Sequence, residues 1–115
     1  MRRGDIVWVD LEPTRGAESD KRRPAVIVSN DGANQTARRL GRGVLTIVPV
    51  TSNTARVYPF QVLLPAERCR IRQDSKAQAE QVRSVAVERI GAVVGRLPAD
   101  LVEQLDDALR LHLGL

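Results

Sequence analysis

The apolar residues of this chain come in short runs, each cut by proline, glycine or a polar cluster, and only the last stretch has helical spacing. In "DIVWVDLEP" (5–13), Ile6, Trp8 and Asp10 alternate with Val7, Val9 and Leu11, which predicts a strand ended by Pro13. "PAVIVS" (24–29) is apolar on both faces and predicts a central strand. "VLTIVPV" (44–50), "YPFQVLLP" (58–65), one or two strands within 76–88, and "GAVVGRL" (91–97) follow. "PADLVEQLDDALRLHL" (98–113) is the one clear helix, with Leu101, Leu105, Ala108, Leu109 and His112 on one face. Between these lie a charged polar loop (14–22), an irregular excursion with one helical turn (30–43), a turn (51–57) and a basic connection (67–75). Six or seven short strands and one helix predict a mainly β fold. It is a small barrel or strongly bent antiparallel sheet, its open side closed by the C-terminal helix.

A chain of 115 residues is expected to form one domain, 1–115, and to bury roughly two thirds of its unfolded surface. Its single cysteine, Cys69, excludes an internal disulfide and fits a reducing compartment. No apolar segment has the length of a signal core or a membrane span, so a cytoplasmic protein with no membrane partner is expected. The net charge is +4, unevenly spread: residues 1–97 hold 17 Lys/Arg against 10 Asp/Glu, while 98–115 is acidic. Sixteen of the 18 basic residues are arginine, whose planar fork of donors suits phosphate. A basic body with an acidic end points to a polyanion partner.

The residue inventory excludes several chemistries. One histidine, His112, on the terminal helix leaves no Ser-His-Asp triad in a cleft. One Cys and one His make no zinc site, and no phosphate-binding glycine motif is present, so no metal and no cofactor are expected. What remains is Arg, Thr/Ser, Asn/Gln and carboxylates. That set suits RNA cleavage by the substrate's own 2′-hydroxyl, where preorganised donors around developing negative charge carry much of the catalysis.

"KRRPAVIVSN" (21–30) joins a basic cluster to a β-branched strand at Pro24. Proline fixes the backbone and restricts Arg23 to extended conformations. An arginine there is either a solvated loop charge or one held to meet an anion, and the residues alone leave both open.

"RGDIVWVDLEPTRGAESDKRRPAVIVSND" (3–31), "VPVTSN" (48–53), "YPFQVLL" (58–64) and "DSKAQAEQVRSVAVERI" (74–90), in that order and spacing, resemble the MazF/PemK family of toxin endoribonucleases. The resemblance covers nearly the whole chain. It implies a compact, SH3-like β-barrel domain with the terminal helix against it, a homodimer, and a MazE-like antitoxin. It also implies metal-independent, sequence-specific cleavage of single-stranded RNA to 2′,3′-cyclic phosphate and 5′-hydroxyl ends.

The same resemblance assigns catalytic roles to Arg23 and to Thr51 at the end of the third strand. Ser52 and Asn53 are expected to shape the turn first and touch RNA second. Glu18 matches a loop glutamate linked to activity, and Glu80 lies where some branches place a carboxylate base. Those branches carry an arginine two residues before that carboxylate, where this chain has Gln78. A histidine can precede the loop glutamate there, where this chain has Ala17. Gln78 is instead assigned to RNA contact, with Gln81 and Arg83, which are expected on one face of a strand. Arg38, Arg39 and Arg42, and Arg68, Arg70 and Arg72, are surface charges or extensions of the groove. Trp8 and Phe60 are expected in the core or a dimer contact. Two other functions fit the scaffold: a gyrase-inhibiting toxin and a non-catalytic nucleic-acid-binding barrel. The gyrase inhibitors lack the Arg-Pro plus "PVTSN" pattern.

Overall fold

The computed structural model describes residues 1–11 and 22–115. The elements run β1 (Asp5–Asp10), β2 (Arg22–Ile27), α1 (Asp31–Leu40), β3 (Val44–Thr51), β4 (Gln61–Leu64), α2 (Ala66–Cys69), β5 (Ser75–Gln78), β6 (Arg83–Ala86), β7 (Ile90–Arg96) and α3 (Ala99–Leu113). The antiparallel sheet has the order β4-β5-β3-β2-β1-β7, with β6 added to β3. Its ends, β4 and β7, are not neighbours, so the sheet is not closed into a barrel.

Both faces of the sheet are covered, which is why β1 and β2 carry apolar residues on both sides. One core joins Ile6, Val26, Val48, Leu64 and Leu97 to Leu101, Leu105 and Ala108 of α3. Each fully buried leucine of this kind contributes about 2 kcal/mol. The other core joins Val7, Val9, Ile27, Leu45 and Ile47 to Ala37 of α1. His112 is exposed and takes no part in the packed face of α3. Trp8 is 38% exposed, and Phe60 stacks on Tyr58 in the β3–β4 loop with ring centroids 5.4 Å apart, so neither belongs to the two cores.

The excursion after β2 is a full ten-residue helix rather than one helical turn. Asn30 caps it by accepting from the Ala33 amide at 2.8 Å, and Gly41 ends it in the left-handed conformation. Its inward face is Asn34 and Ala37. Asn34, 1% exposed, donates to the Ser29 carbonyl at 2.8 Å and accepts from the Ser29 hydroxyl, so burial of its amide is compensated.

At the start of this helix the Arg3 amide donates to Asp31 Oδ1 at 2.7 Å, and this bond holds the Asp31 carboxyl below its ordinary 3.8. A lowered folded-state value contributes stability above the ordinary one, and that stability is lost as pH falls through the lowered value. Wild type should therefore have a higher urea midpoint than Asp31→Asn at about pH 6, and the two should converge at a pH well below 3.8. An equal gap at both pH values would show that the carboxylate charge is not the source.

Candidate active site

The site is built on an irregularity of β3. One edge of this strand pairs with β2 through Ile47, Val48 and Pro49. The other edge has two partners. Val44–Ile47 pair with β6, and Val50 and Thr51 pair with β5. Between Val50 and Ile47 the chain takes three steps along β3, but six on the partner side, from Ala77 to Arg83. The extra residues leave the ladder as a 3-10 turn, Ala79–Gln81. Pro49 sits in that gap, where no amide donor is required on this edge.

The gap is the floor of a cavity of about 360 Å³ lined by Leu11, Arg23, Pro49, Val50, Thr51, Gln78, Gln81 and Arg83. Arg23 lies on β2 opposite Val9. The β2–β3 register pairs Ala25 with Pro49, and two further steps along both strands bring Arg23 across from Thr51. Residues two apart on a strand share a face, so the guanidinium and the hydroxyl stand over the same side of the sheet. Pro24, in the strand behind Arg23, narrows the backbone freedom of that arm.

Thr51 ends β3 and begins a turn held by its own side chains. The Asn53 amide donates to Thr51 Oγ1 at 3.3 Å, and the Ala55 amide donates to Asn53 Oδ1 at 3.3 Å. The hydroxyl thus accepts from the backbone, and among the described residues its proton has no acceptor, which leaves it available to a ligand. Ser52 and Asn53 are exposed on the rim and do not line the cavity.

Gln78, Gln81 and Arg83 all reach the cavity, but not from one strand: Gln78 ends β5, Gln81 ends the 3-10 turn and Arg83 opens β6. Among the described residues the lining holds two guanidiniums, two amides and a hydroxyl, and no carboxylate. Such a set stabilises negative charge and reads hydrogen-bonding edges.

Glu80 is not brought to this lining. Its Oε2 accepts from Gln61 Nε2 at 2.6 Å, and its buried Oε1 has no partner among the described residues. Gln61, 8% exposed and opposite Gln78 on β4, also accepts from the Tyr58 amide at 3.1 Å. It ties the 3-10 turn and the β3–β4 loop to one strand, a role that no sequence pattern marked. Glu18 lies outside the described residues. Arg68 and Arg70 line a separate depression with Arg3 and Arg96, so these two do not extend the first cavity. Among the described residues no group of three His, Cys, Asp or Glu could hold a metal ion, and no helix is long and apolar enough to cross a membrane.

Comparison with known proteins agrees with this architecture. The family model for PemK-like, MazF-like toxins of type II toxin–antitoxin systems matches residues 2–113. Endoribonuclease MazF9 of Mycobacterium tuberculosis is 62% identical over 115 residues, covering 100% of this chain and 98% of the relative. Endoribonuclease MazF2 of Mycobacterium bovis is 34% identical over 116 residues, covering 100% and 98%. Among solved structures, the MazE–MazF complex (form III) of Deinococcus radiodurans superposes with a TM-score of 0.77 at 29% identity, covering 100% of this chain and 97% of that one. The chain belongs to the PemK/MazF-like family of type II toxin–antitoxin toxins.

Proposed function

We propose that this chain is a toxin endoribonuclease that cuts single-stranded RNA at a specific sequence, without metal, by attack of the substrate's 2′-hydroxyl. The observation that carries this is the meeting of Arg23 and Thr51 across adjacent strands in one cationic cavity. The 2′-oxygen forms a bond to phosphorus and the P–O5′ bond breaks, leaving a 2′,3′-cyclic phosphate and a 5′-hydroxyl. One proton leaves the 2′-hydroxyl and one joins the 5′-oxygen. Arg23 offers its fork to the non-bridging oxygens, whose charge grows in the transition state. Thr51 donates its free proton to the same phosphate. Arg83 meets a neighbouring phosphate, and Gln78 and Gln81 present amides to base edges. Ser52 and Asn53 contact RNA from the rim.

In this proposal the chain acts in the cytoplasm as one toxin domain and as a homodimer, held inactive by a MazE-like antitoxin. Support for that partnership is the likeness to the Deinococcus MazE–MazF complex. Glu80, engaged by Gln61, supports the turn that carries Gln81 rather than acting on substrate.

Sequencing the 5′-hydroxyl ends released from a mixed RNA pool tests the proposal and gives the cut motif. Ends bearing 5′-phosphate, or no cleavage at all, would overturn it. The rate should be unchanged in excess EDTA, because no step draws on a metal. Loss of activity in EDTA, with recovery on adding magnesium, would refute this chemistry.

A further inference from the structure

The β3–β4 loop carries an aromatic pair that neither core uses. The Tyr58 ring lies parallel to that of Phe60, with an interplanar angle of 1° and centroids 5.4 Å apart. Phe60 covers one face of the tyrosine, yet Tyr58 stays 41% exposed. Single exposed aromatic rings are common on protein surfaces. This one is held in place by three other residues. The Tyr58 amide donates to Gln61 Oε1 at 3.1 Å, and its carbonyl accepts from the Gln61 amide at 2.8 Å, which closes the turn into β4. Arg56 donates to the Tyr58 hydroxyl at 3.2 Å, and its guanidinium carbon lies 5.7 Å from the ring centroid. Lys76 is 8% exposed; its Nζ donates to the Arg56 carbonyl at 2.6 Å and lies 6.0 Å from the same centroid. An ammonium buried this far is costly unless it is used. Here it ties the loop to the sheet and faces the ring.

The residues that hold the ring are cross-strand neighbours of the cavity. Lys76 pairs with Thr51 across β3 and β5, and Gln61 pairs with Gln78 across β4 and β5. Thr51 and Gln78 both line the cavity. The ring leads into β4, and β4 lies two strand spacings, roughly 10 Å, from β3. A nucleotide beside the one whose phosphate meets Arg23 and Thr51 covers that distance.

We propose that Tyr58 is a stacking platform for the base of a nucleotide flanking the cut, and that it fixes the register of the strand on Arg23 and Thr51. The inference rests on the reading of the cavity as an RNA site. A base fits this place because it brings a flat π face to a ring already backed by Phe60. It also brings a phosphate beside it, and Arg56 stands at the hydroxyl edge of the ring to meet that charge. Stacking tolerates any base, so Tyr58 sets position while the amides of Gln78 and Gln81 read identity.

The test reads binding, so it is decided separately from cleavage. Fluorescein-labelled strands carry the cut motif with 2′-fluoro at the attacking position, which removes the nucleophile. An abasic residue is moved along them one position at a time, and anisotropy gives each affinity. In wild type, base removal at one position beside the cut should weaken binding about tenfold. In Tyr58→Leu, which keeps apolar cover over Phe60 but has no π face, removal at that position should cost no more than about twofold. Tyr58→Trp should restore the wild-type pattern. Equal costs in Tyr58→Leu and wild type at every position would overturn the inference. So would a loss in Tyr58→Leu that is the same for every strand, abasic ones included, since the ring would then only support the loop. If the protein cuts no RNA, the RNase reading falls and a mixed-sequence 2′-fluoro strand, compared with an abasic strand of equal length, decides this one. Tyr58→Leu should shrink the preference for bases, and an unchanged preference would overturn the platform.

Discussion

Replacing Arg23 by alanine should slow RNA cleavage about 10²-fold or more, the order expected when a preorganised donor to a developing oxyanion is lost. Arg23 and Thr51 line one cavity and stand opposite one another when the β2–β3 register is extended. Arg23→Lys should recover little, because a compact ammonium does not reproduce a two-pronged contact. Thr51→Ala should fall by a similar factor, and Thr51→Ser, which keeps the hydroxyl, should recover much of the rate. The double variant should lose clearly less than the product of the two single losses, since groups serving one transition state act as a unit. RNA affinity should fall less than rate in each case, because Arg83 and the other basic residues carry most of the salt-dependent attraction. Single-turnover rates beside equilibrium binding separate these outcomes. Full activity in Arg23→Ala, or multiplicative losses in the double variant, would place the chemistry elsewhere.

Much of this arrangement is legible in the sequence, and the failures have physical causes. The alternation in 5–11 and the unbroken apolar run in 24–28 predict β1 and central β2: from Trp8 onward β1 is exposed on one face, whereas the apolar run of β2 is buried on both. Helix α1 escapes the apolar pattern because its buried face is an asparagine and an alanine. Its ends were nonetheless written in Asn30 and Gly41, and weighing caps above hydrophobic period would have found it. The double partnership of β3 is not legible. The strand spacing within 76–88 is compatible with continuous pairing, and only the register shows three extra residues leaving the ladder as a turn. That turn explains why Gln78, Gln81 and Arg83 converge although they share no strand, while Glu80 between them turns to Gln61. Arg23 and Thr51 are distant in sequence, where only the family resemblance relates them, and in the fold the extended β2–β3 register sets them opposite one another. The basic triplet Arg68, Arg70 and Arg72 reads as one surface in sequence. In the fold, Arg68 and Arg70 face a depression remote from the cavity, because α2 is pinned to β7 rather than to β3.

That pinning makes Gly95→Ala the substitution expected to cost the most stability for its size. Gly95 lies on β7 opposite Ile6. An added Cβ would sit 2.5 Å from the Cys69 carbonyl oxygen and 2.7 Å from Ile71 Cγ2. The oxygen belongs to backbone, and Cys69 is fully buried in the α3-side core, so no side-chain rotation relieves the overlap. Either β7 moves off α2 or the turn after α2 unpacks, and both open the core beneath Leu97. Overpacking of this kind costs about 3 kcal/mol, equivalent to a thermal midpoint lower by roughly 10 °C in a chain of this size. Gly91→Ala, four residues earlier on the same edge strand, is the control. A Cβ there meets Trp8 at 3.4 Å, an ordinary contact, and the cost should stay within about 1 kcal/mol. Thermal and urea unfolding of the two variants should separate them clearly. Below its unfolding transition, Gly95→Ala should still cleave RNA near the wild-type rate, because the cavity is built on β2, β3 and the β5–β6 turn at the far end of the sheet. Equal stability of the two glycine variants would show that the close approach of α2 to β7 does not hold this end of the fold.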